Sequence, residues 1–184
     1  MLRRFVALLC LCAIAWAKVG KPVPNILIQT PDRKNINLKK YRGKVMLVVM
    51  FLTDCDDCLK MVNFASGLQK DYGARGFQVV GAAVDDKAPY LVTPFIQRYR
   101  PNFPVGYLQQ ADLIKFLDLA PNVRPIAPMI MFVDSVGTVR FQYSGKDTPL
   151  FGENYKTLRL ITQGLLNQKD GKEQALPPTP APAK

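Results

Sequence analysis

Residues 45–52, VMLVVMFL, constrain this chain more than any other stretch. Eight consecutive apolar residues leave no polar face to show to water. Such a run reads as a strand covered on both sides, as in the interior of an α/β sheet. It stops at Thr53-Asp54, and Cys55-Asp56-Asp57-Cys58 follows at once. Beyond the pair, Leu59, Met61, Val62, Ala65, Leu68 and Tyr72 recur at helical spacing. Gly73 and Gly76 end that pattern, and a second apolar run, FQVVGAAV, occupies 77–84. Two buried strands joined by one helix make a βαβ unit, parallel and right-handed. The cysteines therefore fall where a buried strand hands over to a helix. A helix N-terminus offers partial positive charge and free N–H groups, and both favour a thiolate.

The remaining pattern predicts one α/β domain over 18–167. Residues 20–24 form an extended lead-in. A strand is expected over 25–29, a turn at 30–33, and a returning strand around Ile36 and Leu38. A short turn or helix spans 38–42 and ends at Gly43. The helix after the handover is expected over 55–72. Next come a helix over 93–99, a short edge strand over 105–107, a helix over 111–119 and a strand over 129–133. That strand turns tightly at 134–137 into an antiparallel partner over 138–143. A last helix covers 154–167. From 168 to 184 the chain is polar, with four prolines among its last eight residues. It cannot bury a face, so a disordered Pro-rich tail is expected.

Histidine is absent from all 184 residues. Cys-His and Ser-His catalysis are thereby excluded, as are histidine-ligated zinc, copper and haem. Cys10 and Cys12 lie in a segment with the marks of a secretory signal, residues 1–17. It has basic Arg3 and Arg4, an apolar centre over 5–15 and the small-x-small triplet Ala15-Trp16-Ala17. Cleavage is expected after Ala17, giving an extracytoplasmic protein, periplasmic or secreted. Left uncleaved, the segment would tether the chain to a membrane. The mature chain keeps only Cys55 and Cys58. A bridge closing so short a loop adds little stability, so redox chemistry explains the pair better than a structural staple does. Two cysteines with neighbouring carboxylates form at most a partial metal site. No metal and no other cofactor is expected. Formal charge is +11, or +9 without Arg3 and Arg4. The densest basic stretch is Arg33, Lys34, Lys39, Lys40, Arg42 and Lys44. It reads as a solvated surface or as a face for an acidic partner or a membrane surface. No nucleic-acid motif accompanies it.

Several motifs fall in a familiar order. They are Gly20-Lys21-Pro22-Val23-Pro24, Tyr41-Arg42-Gly43-Lys44 before the buried strand, Cys55-x-x-Cys58, Ala127-Pro128 before the strand at 129, and Asp134 with Gly137 in the last hairpin. In this order they resemble the thioredoxin-like superfamily, in its exported TlpA/ResA-type branch within the broader redoxin (AhpC/TSA-like) group. The resemblance covers about 20–167. It implies a thioredoxin-like α/β fold, a central mixed sheet flanked by helices, with an N-terminal β-hairpin extension. It implies a cis Pro128 facing the cysteines, an Ala127 backbone that pairs with a substrate chain, and a protein thiol or disulfide substrate fed by an upstream electron donor. This chain also departs from the pattern. Asp54 replaces the usual aromatic before the first cysteine. Asp56 and Asp57 stand where Gly-Pro or Glu-Pro is common. Val49, Met61 and Asn63 occupy positions where relatives carry a buried Asp, a Glu and a Pro.

Disulfide exchange needs a thiolate nucleophile, a resolving thiol and proton transfer. Cys55, at the helix start, is the candidate nucleophile, and Cys58, one turn in, the candidate resolving thiol. Asp54, Asp56 and Asp57 place negative charge beside them and disfavour the thiolate. That raises the Cys55 pKa and makes the pair more reducing; the same aspartates also cap a helix start. Two other readings remain open here. One is a non-catalytic thioredoxin-fold binding module. The other is a peroxiredoxin-like peroxidase, which neither cysteine fits, because that family places Thr or Ser three residues before the attacking Cys.

Overall fold

The computed structural model describes residues 20–120, 125–145 and 155–169. The run at 45–52 forms strand β3, Val45–Phe51. All seven of its residues are buried. Its odd residues, Val45, Leu47, Val49 and Phe51, point to one side of the sheet and Met46, Val48 and Met50 to the other. Each such side chain contributes about 1.5–3 kcal/mol on burial, so β3 is the anchor of the domain.

Strands β1 (Leu27–Gln29) and β2 (Asn35–Asn37) form the leading hairpin. Helix α1 (Asp56–Tyr72) links β3 to β4 (Phe77–Ala83), which pairs with β3 in parallel. Helix α2 (Ala88–Tyr99) leads to β5 (Val105–Tyr107), and α3 (Gln110–Leu117) follows. Strands β6 (Met129–Val133) and β7 (Val139–Tyr143) make the last hairpin, and α4 (Lys156–Lys169) closes the described chain. The sheet order is β2-β1-β5-β4-β3-β6-β7. Helices α1, α2 and α4 cover one face; α3 and the inward residues of the hairpin, Ile28 and Ile36, cover the other. This is the expected thioredoxin-like mixed sheet with its hairpin extension.

Several boundaries differ from the sequence reading. Helix α2 begins at Ala88, five residues before the expected start. Pro89 sits in its first turn, where a missing N–H costs nothing, and buried Ala88, Val92 and Phe95 face the core. Pro94 lies inside the helix. Strand β5 is not an edge: β1 pairs beside it through Gln29 and Tyr107. Helix α3 stops at Leu117 because Asp118 turns left-handed, at φ 55°. Helix α4 runs two residues into the segment expected to be tail. The signal segment, its cleavage point and residues 170–184 lie outside the described residues.

The basic stretch is also divided. Arg33 and Lys34 line one cavity, with Pro89 and Tyr107. Lys39 and Arg42 line another, with Pro22, Met46 and Val136.

Candidate active site

The site begins where the β3 ladder ends. Val84 N–H donates to the Phe51 carbonyl at 2.9 Å, the last backbone bond of the β3–β4 pair in that direction. Past it the chain is held by a side chain. The Asp85 carboxylate accepts the Thr53 N–H at 3.0 and 3.2 Å and the Thr53 hydroxyl at 3.0 Å. This clamp ties the end of β3 to the chain just past β4 and fixes the backbone two residues ahead of Cys55.

Cys55 is the N-cap of α1, with φ −106° and ψ 120°. Its Sγ accepts the Cys58 N–H at 3.2 Å, where a cap residue such as Ser or Asp would normally use oxygen. An orphan helix donor is thus aimed at the sulfur, and a thiolate accepts more strongly than a neutral sulfur does. Cys55 and Cys58 are joined as a disulfide, with Cα atoms 5.1 Å apart. Their environments differ. Cys58 is fully buried among the core residues of α1, whereas Cys55 is half-exposed.

Asp54, Asp56 and Asp57 surround this cap and are all solvent-facing or nearly so. The collar is not uniform. Lys60 Nζ reaches Asp57 Oδ1 at 2.8 Å. That hydrogen bond, and then the charge of Asp57, hold the Lys60 ammonium above its ordinary pKa. Both groups are well exposed, so the pair contributes little to stability. It does offset one collar charge.

The register Met50↔Met129 brings the start of β6 level with the end of β3. Ala127 and Pro128 therefore lie at the same end of the sheet as Cys55. The Ala127–Pro128 bond is cis, as the resemblance implied. Pro128 is buried and Ala127 half-buried. A small cavity beside them is lined by Leu52, Val84, Leu113, Pro125, Ala127 and Met129. Leu52, in its lining, and Ile126, next to Ala127 in the chain, remain 37% and 45% exposed, so apolar surface is open at this end of the sheet.

Two residues of this end escaped the sequence reading. Asp85 directly follows the apolar run 77–84; its signal was an acidic residue at the tip of the strand parallel to β3. Gly145 gave no signal. Its N–H donates to the Ile126 carbonyl at 2.8 Å, and a Cβ there would lie 2.7 Å from the Ala127 carbonyl oxygen. Only glycine lets the chain after β7 pass this close behind Ala127. Among the described residues no cluster of three or more His, Cys, Asp or Glu is placed to hold a metal.

A half-exposed cysteine capping a helix, a buried partner one turn on and a cis proline at the same sheet end form the thioredoxin-like arrangement. The Redoxin family model matches residues 18–157. The chain belongs to the Redoxin family. This redoxin is 26% identical over 145 residues to the thiol-disulfide oxidoreductase ResA of Bacillus thuringiensis subsp. konkukian, covering 79% of each chain. It superposes on a thiol:disulfide interchange protein of the thioredoxin family from Chlorobium tepidum TLS with a TM-score of 0.63 at 23% identity, over 79% of this chain and 95% of that one. A secreted Mycobacterium tuberculosis disulfide oxidoreductase homologous to E. coli DsbE superposes with a TM-score of 0.54 at 16% identity, over 66% and 84%.

Proposed function

We propose that this redoxin is an extracytoplasmic thiol–disulfide oxidoreductase that reduces protein disulfides through Cys55 and Cys58. The observation that carries the reading is the sulfur cap: Cys55 Sγ receives the Cys58 N–H at a half-exposed helix start, with Cys58 buried behind it. In the reduced protein the Cys55 thiolate attacks one sulfur of a substrate disulfide. An S–S bond forms to Cys55 and the other substrate sulfur leaves as a thiolate. Cys58, deprotonated, then attacks Cys55 Sγ, releases the second substrate thiolate and closes the Cys55–Cys58 disulfide. Two electrons pass to the substrate, and a thiol donor of the envelope returns the pair to the dithiol. The Ala127 backbone beside cis-Pro128 receives the substrate chain. Asp54, Asp56 and Asp57 tune the thiolate toward a reducing pair.

The leader over 1–17 and the names of the relatives support the extracytoplasmic setting. In this reading the leader is removed near Ala17 and the domain runs from Lys18 to the end of α4. The deciding experiment is turnover of a protein disulfide with a dithiol donor. Cys55→Ser abolishes it, and Cys58→Ser stops at a mixed disulfide that non-reducing gels capture. A Cys55→Ser protein that turns over, or that only binds partners without exchange in the wild type, contradicts the proposal and favours the binding module.

A further inference from the structure

Charge is sorted along β3. The cysteine end carries exposed Asp54, Asp56, Asp57 and Asp86. The opposite end, about 20 Å away along a seven-residue strand, carries exposed Lys39, Lys40, Arg42 and Lys44. None of these four cations takes part in an ion pair among the described residues. The acids nearest in the fold are occupied. Asp118 pairs with Lys21 at 3.2 Å. Asp134 accepts the Val136 and Thr138 N–H groups inside its turn and meets Arg140 at 3.5 Å.

The platform is built by backbone bonds. Gly43 N–H donates to the Ser135 carbonyl, Val45 N–H to the Gly76 carbonyl, and Val23 N–H to the Gly137 carbonyl, at 2.8, 3.0 and 2.8 Å. Between the cations lies apolar surface. Val136, at the tip of the β6–β7 turn, is 63% exposed. It borders a cleft of about 500 Å³ whose floor is Pro22, Val23, Leu38 and Met46, with Lys39 and Arg42 on its rim.

We propose that this end docks on anionic phospholipid headgroups and holds Cys55 on the side facing away from the bilayer. Three observations choose a lipid surface over an acidic protein. Lys40 and Lys44 lie off the cleft whose rim holds Lys39 and Arg42, so the positive charge extends beyond the cleft, which suits a diffuse surface charge. An exposed valine set among them suits the headgroup boundary, where apolar tips and cations act together. Until cleavage the apolar leader keeps the exported chain at a membrane, and it ends just ahead of Gly20, whose N–H donates to the Val139 carbonyl at the start of β7, on this same end. A negatively charged bilayer also repels the acidic collar and so sets the orientation. The proposal holds whether or not the protein proves to be a disulfide reductase.

The test uses the chain expressed with its own leader and recovered as exported. Sedimentation is measured with vesicles of mixed phosphatidylglycerol and phosphatidylcholine, and with phosphatidylcholine alone. The mixed vesicles are expected to bind it in a salt-sensitive way and the neutral ones to leave it in solution. Each cation contributes about fivefold, so Lys39→Ala with Lys40→Ala and Arg42→Ala weakens binding roughly 100-fold. Val136→Glu weakens it further. Both variants keep the wild-type circular dichroism spectrum and unfolding midpoint, which shows that they fold. A membrane-impermeant alkylating reagent modifies reduced Cys55 equally fast on and off the vesicles. Equal binding to both vesicle types, indifference to the triple substitution, protection of Cys55 on vesicles, or capture by polyglutamate in place of lipid overturns the proposal.

Discussion

The two ends of β3 start from the same apolar strand and are finished in different ways. At Val45 the chain is fastened by backbone bonds, to Gly76 and, through Gly43, to Ser135. At Phe51 the backbone ladder stops, and side chains take over: Asp85 holds Thr53, and Cys55 caps α1. Backbone bonds tolerate almost any side chain. Side-chain bonds are lost with one substitution. The first end can therefore vary its charges freely, while the second depends on the identity of each residue. Sequence change should be cheap at the charged positions of the lysine end, outside Gly43, Gly76 and Gly137 with their left-handed backbones, and costly at the cysteine end.

The strongest way to break this contrast is Asp85→Ala. It leaves the half-buried Thr53 N–H and hydroxyl without their acceptor, at a cost of about 1–3 kcal/mol in denaturant unfolding. Thr53→Val removes one of the bonds and costs about 1 kcal/mol. If Arg42→Ala or Lys44→Ala costs as much, the contrast fails; each is expected to stay within about 0.5 kcal/mol. Gly145→Ala is next. Its Cβ meets the Ala127 carbonyl at 2.7 Å, against backbone that cannot rotate away. The segment 126–128 must shift, costing about 1–3 kcal/mol by overpacking. Turnover is expected to fall by more than stability accounts for, because that segment is the proposed receiver of the substrate chain.

Smaller effects sharpen the electrostatic half of the contrast. Neutralising a collar carboxylate, as in Asp56→Asn, moves the reduction potential toward the oxidising side by about 20 mV, from roughly 1 kcal/mol of charge interaction. Asp57→Asn moves it by a similar amount, since it likewise removes one unit of negative charge and leaves the Lys60 ammonium in place. Lys44→Ala leaves the potential unchanged. The smallest effect lies away from both ends. In the β1–β2 turn the Thr30 hydroxyl, then Lys34, hold the Asp32 carboxyl down to about 2, from 3.8. A depressed carboxyl stabilises the fold above its unfolded pKa and loses that contribution as pH falls through the folded value. Wild type and Asp32→Asn therefore differ slightly at neutral pH and converge as an acid titration passes from about pH 4 to about pH 2.

Much of this was legible because it is local. A short apolar run rich in β-branched residues and bounded by turn signals reads as an interior strand, so β3, β4 and β6 were readable almost to the residue. The cysteines followed from their place between strand and helix. The cis Pro128 and the Ala127 site came from resemblance instead, since nothing in composition or spacing marks them. Long-range pairing was less legible. Strand β5 looked like an edge because its neighbour β1 comes from 78 residues earlier, a pairing no local pattern reveals. Two prolines hid the first turn of α2, although Pro89 is tolerated there. Asp85 and Gly145 act on residues that are distant in sequence, Thr53 and Ala127, and their roles exist only once the sheet is assembled. The basic stretch failed in the opposite direction: of its six residues, Arg33 and Lys34 line one cavity and Lys39 and Arg42 another.

The central claim is that the acidic collar outweighs the thiolate-favouring sulfur cap and makes a reducing dithiol. Equilibrating the Cys55/Cys58 pair against glutathione and thioredoxin redox buffers measures it directly. The account predicts a potential at or below the thioredoxin value of about −270 mV. A potential near the strongly oxidising value of about −120 mV would contradict it.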